Sequence, residues 1–126
     1  MIIGIGIDAV EIDRVAKMYE RLGDRLLERV FSAEERHHLR SKRAPAQHMA
    51  VRLAAKEAAY KALSGNSLAR GIGWREVEVV SRDDGSPRLL LHGNAAARFA
   101  ELDGTHVHVS LTHSLTTAVA VVIVER

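Results

Sequence analysis

The chain reads as an α+β fold. Three observations predict it. Five segments are strand-like, four of them after residue 73; one stretch from about Ala46 to Leu63 keeps helical spacing throughout; and Gly, Asp and Asn signals separate strands close enough to pair as hairpins. The 126 residues are 47% hydrophobic and 27% charged, the balance of one globular domain spanning 1–126 rather than of a disordered segment. No linker, repeat or low-complexity stretch divides it. Aromatic residues are scarce at 4%, so Val, Ile, Leu and Ala must fill the interior. The absence of cysteine excludes disulfides, thiolate nucleophiles and Cys-ligated zinc.

Taken in order, Ile2 to Asp8 is a strand, with Ile3, Ile5 and Ile7 on one face and Gly4, Gly6 and Asp8 on the other. The glycine face is expected to leave space beside the Asp8 carboxylate. Ala9 to about Leu22 has helical spacing through Val10, Val15, Met18, Tyr19 and Leu22. Asp8-Ala9-Val10-Glu11 is a capping box for that helix, with Asp8 as its cap. A second capping box, Ser32 with Glu35, starts a helix that fades between Ser41 and Pro45. The long helix then presents a small-residue face of Val51, Ala54, Ala55, Ala58, Ala59 and Ala62, with Glu57 and Lys61 at one edge and Arg52 and Lys56 around the other side. It ends at Ser64-Gly65-Asn66, where Gly65 can take a left-handed conformation. Trp74–Ser81 and Arg88–His92 form a hairpin around Asp83-Asp84-Gly85-Ser86. Asn94 caps a short helix through Leu102, Asp103-Gly104 turns the chain, and strands at His106–Leu111 and Thr117–Val124 flank a turn near His113-Ser114.

The net charge is only +2, but Arg36 to Arg43 is strongly basic, and Arg52 and Lys56 follow. Such a segment favours an acidic partner. Scarce aromatics and the lack of helix-turn-helix, RRM or KH signatures argue against nucleic acid. The N-terminal apolar run lacks a basic n-region and a cleavage site, and Ala118–Val124 falls far short of the roughly 20 residues of a membrane span. A cytoplasmic protein with no membrane partner is expected.

Local rules give the candidate site residues modest roles. Asp8 caps a helix, and Glu57–Lys61 is an i,i+4 ion pair worth roughly 0.2–0.5 kcal/mol. A carboxylate beside a packed alanine face, with a lysine one turn on, also suits a metal–phosphate site, where the carboxylate holds Mg²⁺ and the ammonium faces phosphate oxygens. His106 and His108 share a strand face without a third ligand at a zinc spacing. Ser110-Leu111-Thr112-His113 does not match a nucleophile elbow. A protein whose only role is to oligomerise is the competing reading.

The order of these segments is more specific than any one of them. Gly4-Ile5-Gly6-Ile7-Asp8-Ala9-Val10-Glu11-Ile12-Asp13-Arg14, Phe31-Ser32-Ala33-Glu34-Glu35, Arg52-Leu53-Ala54-Ala55-Lys56-Glu57-Ala58-Ala59-Tyr60-Lys61-Ala62-Leu63, Gly73-Trp74-Arg75-Glu76-Val77-Glu78-Val79, Gly85-Ser86-Pro87 and Val109-Ser110-Leu111-Thr112-His113 together resemble the holo-acyl-carrier-protein synthases, the small bacterial class of 4′-phosphopantetheinyl transferases. Leu53 stands where that family usually has Phe, Ser64 where Gly is common, and Thr112 where Ser is usual. The resemblance implies an antiparallel sheet with a long central helix and shorter helices packed on it. It implies Mg²⁺ (or Mn²⁺) held by Asp8 and Glu57, with coenzyme A as co-substrate and an acidic apo-acyl carrier protein as acceptor. It assigns catalysis to Asp8, Glu57 and Lys61, with Lys61 on phosphate and Glu57 as base. Arg52, Lys56, Ser110 and His113 are implied at the nucleotide, and Arg14, Arg21, Arg40 and Arg43 at the carrier protein. A homotrimer with active sites between subunits, working in fatty-acid or polyketide biosynthesis, completes the expectation.

Overall fold

Alanine sets the packing distance in this protein. A helix of eighteen residues, Pro45–Ala62, starts with proline at its first turn, where no amide hydrogen is needed, and buries Ala50, Ala54, Ala55, Ala58 and Ala59 almost completely. Small side chains let the opening strand, Ile2–Glu11, lie directly on the helix backbone. A Cβ on Gly4 would lie 2.1 Å from the Ala62 carbonyl oxygen, and one on Gly6 only 1.8 Å from that of Ala58. The space expected beside Asp8 is therefore filled by the helix itself, which presses Asp8 toward Glu57 and Lys61.

The computed structural model describes residues 1–126. The chain runs β1 (Ile2–Glu11), α1 (Ile12–Leu22), α2 (Asp24–Val30), α3 (Ala33–Arg40), α4 (Pro45–Ala62), the single turn α5 (Ser67–Arg70), a 3₁₀ turn (Trp74–Glu76), β2 (Val77–Ser81), β3 (Pro87–Leu91), α6 (Gly93–Glu101), β4 (His106–His113) and β5 (Thr117–Glu125). One antiparallel sheet has the order β1-β5-β4, and β2-β3 forms a separate hairpin. This is the α+β architecture the sequence predicts, with its strands divided between two sheets. Val122, Val124, Ala118 and Ala120 of β5 face α4 and are buried. The opposite face of the sheet carries no helix, and Ile5 and Ile7 there are 64% and 60% exposed.

Long-range pairing overrides several local signals. Ala9–Glu11 continue β1 instead of starting a helix, because β5 pairs as far as Glu11 opposite Thr117, and the Ile12 amide donates to the Thr116 carbonyl at 2.9 Å. Asp8 is thus inside a strand and caps nothing; α1 has Glu11 at its N-cap, with no side-chain bond. The helix α2 lies where no element was expected. It starts from Gly23 at φ +56° and buries Leu26, Leu27 and Val30. Asn94 does not cap α6; its side chain donates to the Gly71 carbonyl, and the Ala95 amide is satisfied by Glu76. The Ser32–Glu35 capping box forms as its spacing predicts.

Candidate active site

Asp8 points from the helix-facing side of β1, and Lys61, one turn beyond Glu57 on α4, reaches it. Lys61 Nζ donates to Asp8 Oδ1 at 3.0 Å and to the Ile7 carbonyl at 3.0 Å. The expected Glu57–Lys61 pair is replaced by this one, because the lysine reaches across to the strand rather than back along its helix. The second Asp8 oxygen, Oδ2, is buried with no hydrogen-bond partner. Burying a carboxylate oxygen unpaired is costly unless a cation or donor completes it.

Glu57 supplies the adjoining carboxyl. Its pKa is pushed up to about 7, first by burial and then by the neighbouring Asp8 carboxylate, while Arg14 and Lys61 pull the other way. Burial alone would also raise Asp8, but the adjoining Glu57 carboxyl and Lys61 outweigh it and hold Asp8 below its ordinary value. Two close carboxyl groups titrate as one pair, and one of them is driven toward neutrality. Two hard oxygen ligands of this kind, one with an orphaned oxygen, fit Mg²⁺ or Mn²⁺, which take few protein carboxylates and complete their shell with water and phosphate. No group of three His, Cys, Asp or Glu side chains converges anywhere in the chain, so the donor set is not that of a zinc site.

Beside this pair opens a cavity of about 360 Å³, walled by Glu57, Tyr60 and Lys61 on one side and Ile72, Gly73 and Trp74 on the other. Tyr60, Ile72 and Trp74 are the residues that sequence reasoning did not place at the site. Trp74 is the chain's only tryptophan and is 40% exposed.

The other expected residues fall into separate groups. Lys56 also lines this cavity, but its ammonium is committed inside the protein: the residue is 2% exposed, pairs with Glu35 at 2.8 Å, and donates to the Trp74 and Val77 carbonyls. Arg52 is also buried, donating to the His48 carbonyl at 3.1 Å and leaving Nε unpartnered. His113 meets Gln47 at the N-terminal end of α4, at 2.6 Å. Lys61 lies fourteen residues further on, about 21 Å along a helix axis. Ser110 sits opposite Val121, which pairs with Ile7, and so lies on the open face of the sheet, away from Asp8. Arg14, close enough to act on Glu57, shares the exposed side of α1 with Met18 and Arg21. Arg40 lies 3.8 Å from Asp24 at the end of α3, and Arg43 is exposed in the loop that follows.

Known proteins resemble the chain throughout its length. Residues 4–120 match the 4′-phosphopantetheinyl transferase superfamily. A holo-[acyl-carrier-protein] synthase of Nitratidesulfovibrio vulgaris is 50% identical over 125 residues, 99% of both chains, and one of Xanthobacter autotrophicus is 48% identical over 89% of this chain and 85% of its own. The crystal structure of the Neisseria meningitidis holo-[acyl-carrier-protein] synthase superposes with a TM-score of 0.88 at 25% identity, covering all of both chains. That of a Bacillus anthracis synthase in complex with CoA (3′,5′-ADP) superposes at 0.79 with 32% identity, over 98% of this chain and 96% of its own. Sequence motifs, fold and full-length identity agree: the chain belongs to the 4′-phosphopantetheinyl transferase superfamily, as an enzyme of the holo-acyl-carrier-protein synthase type.

Proposed function

We propose that this enzyme transfers the 4′-phosphopantetheine group of coenzyme A to a serine hydroxyl of an apo-acyl carrier protein and releases adenosine 3′,5′-bisphosphate. The observation that carries the reading is the buried, unpartnered Asp8 Oδ2 beside Glu57 and Lys61, at the mouth of a 360 Å³ cavity. The full-length relatives named for this activity support it, as does the relative crystallised with coenzyme A.

Asp8 and Glu57 are the residues that would hold Mg²⁺, and a bound ion would supply positive charge to the pyrophosphate oxygens. Lys61, already next to Asp8 and half-exposed, adds a second cation for the phosphate. In the transfer, the serine oxygen bonds to the β-phosphorus as the bond from that phosphorus to the oxygen bridging to the α-phosphate breaks. The electron pair leaves with adenosine 3′,5′-bisphosphate, and the serine proton passes to Glu57. A carboxylate raised toward neutrality is a better proton acceptor at physiological pH than one at its ordinary value of 4.5. Positioning and charge do most of the work, since phosphoryl transfer needs little covalent help from the protein.

The acidic carrier protein would meet Arg14 and Arg21 on α1, next to Glu57, with Arg40 and Arg43 further out. His113, seated at Gln47, is about 21 Å from Lys61 along α4, Arg52 is about 14 Å from it, and Ser110 faces away, so these residues join the same ligand most simply across an interface between copies. The uncovered sheet face with Ile5, Ile7 and Ser110 suits that interface, and a trimer closes it with one site per junction. A role in fatty-acid biosynthesis follows if the carrier is of that type. The test is a mass measurement: with coenzyme A and Mg²⁺, an apo-carrier protein gains one phosphopantetheine on one serine. No gain on any carrier protein would refute the reading.

A further inference from the structure

Lys56 immediately precedes Glu57 and lines the same cavity, yet its ammonium is buried behind the cavity wall. All three of its protons are spent inside the protein: on Glu35 Oε1 at 2.8 Å, on the Trp74 carbonyl at 3.1 Å and on the Val77 carbonyl at 2.5 Å. The amine also lies 5.5 Å from the centre of the Phe31 ring. Glu35 is equally committed. It accepts from the Ser32 amide through Oε1 and from the Val79 amide through Oε2, and it is 1% exposed. A buried ion pair is a poor source of net stability, and isosteric apolar replacements often do as well or better. Its use here has to be sought in what it holds.

What it holds is the segment from Trp74 to Val79. Gly73, Trp74 and Val77 form the far wall of the cavity whose near wall is Glu57, Tyr60 and Lys61. Two of the three Lys56 hydrogen bonds end on backbone carbonyls of that far wall, and Glu35 takes an amide from the strand that continues it. The two walls come from elements far apart in sequence, and the cavity lies between consecutive residues of one helix turn and a loop that Lys56 ties to them. We infer that Lys56, clamped by Glu35, is a positioning residue that fixes the Trp74 wall against α4 and so presets the width of the coenzyme A cavity. This rests on the reading of that cavity as the coenzyme A site, and goes beyond it by giving the buried pair a role in affinity rather than chemistry.

The only tryptophan sits on the wall in question, so its fluorescence reads the wall alone. The paired variant Glu35→Gln/Lys56→Met removes the clamp without stranding a buried charge. With circular dichroism unchanged, acrylamide quenching of Trp74 should rise about twofold, KM for coenzyme A should rise about tenfold, and kcat should stay within about threefold. Lys56→Arg, which keeps charge and donors, should recover part of the coenzyme A affinity. A folded paired variant with unaltered Trp74 quenching and unaltered KM overturns the inference. If the pair is needed for folding, the wild type still decides. The Glu76 and Val79 amides, held by the Gly73 carbonyl and by Glu35, should exchange hydrogen slowly without ligand and barely change with coenzyme A. Fast exchange that slows only on ligand addition means the wall is not preset, and overturns the inference. Fluorescence and exchange need no turnover, so they stay informative even if transfer to a carrier protein is never seen.

Discussion

Glu57 carries two demands that pull its proton in opposite directions. Burial and the Asp8 carboxylate raise its pKa to about 7, whereas a bound divalent ion would favour the ionised form. Replacing it by glutamine keeps the shape and removes both the charge and the proton acceptor. Glu57→Gln is expected to lower kcat by on the order of 10²–10⁴-fold with the circular dichroism unchanged; activity within threefold of wild type would remove Glu57 from the chemistry. The same group leaves a mark on the stability of the metal-free protein. Between pH 4.5 and about 7 the folded chain keeps a proton on Glu57 that the unfolded chain has lost, so stability falls as pH rises through that window and levels off above it. Asp8 has the opposite sign: its contribution is present above pH 3.8 and lost as pH falls through its lowered folded value. Denaturant melts of wild type and Glu57→Gln in EDTA separate the two. Wild type should lose stability relative to the variant from pH 4.5 to 7, and parallel curves across that range would contradict the assigned pair.

At the scale of elements, β1 against α4 is the contact that builds the site. Gly6 leaves the helix carbonyl of Ala58 room to approach, and a methyl there would stand 1.8 Å from that oxygen. Gly6→Ala should therefore cost about 3 kcal/mol or more, beyond ordinary overpacking, and displace Asp8 from Lys61. Thermal melts would show it, and a variant as stable as wild type would mean that the strand does not seat so closely. The same contact explains which features were legible in the sequence. The Ser32–Glu35 box depends on four adjacent residues, and it forms. The Asp8–Glu11 box has the same local pattern and fails, because Ala9, Val10 and Glu11 gain a ladder to β5 that no window of neighbours contains. Lys61 was expected beside Glu57 by helix spacing, and its choice of Asp8 follows from a strand more than fifty residues away. Lys56 is placed at the nucleotide by the family resemblance alone, through its match to the central-helix motif. Its burial depends on Glu35, Trp74 and Val77, brought together only by folding. Asp8, Glu57 and Lys61 were found through the ordered motifs and do meet, whereas Tyr60 and Trp74, with no local signal for chemistry, were not picked out.

At the scale of the whole molecule, the sheet β1-β5-β4 is covered on one face only. Ile5 and Ile7 project from the other face beside Val121 and Ile123 of β5, an apolar patch that a lone small domain would not favour. Association through this face should give a particle about three times the 13.9 kDa chain in light scattering. Ile7→Asp, distant from the Asp8 carboxylate because it lies on the opposite face, should shift the particle to the single-chain mass and lower activity with it. A fully active monomer would place the complete site in one chain. The organisation of residues and elements converges on one chemical act, and the decisive measurement is the intact mass of an apo-carrier protein after incubation with enzyme and coenzyme A. Wild type in Mg²⁺ should add one phosphopantetheine to a single serine; wild type in EDTA, and folded Glu57→Gln in Mg²⁺, should leave the carrier unmodified on the same timescale. Equal modification by the variant, or undiminished transfer in EDTA, would contradict a site built on Asp8 and Glu57.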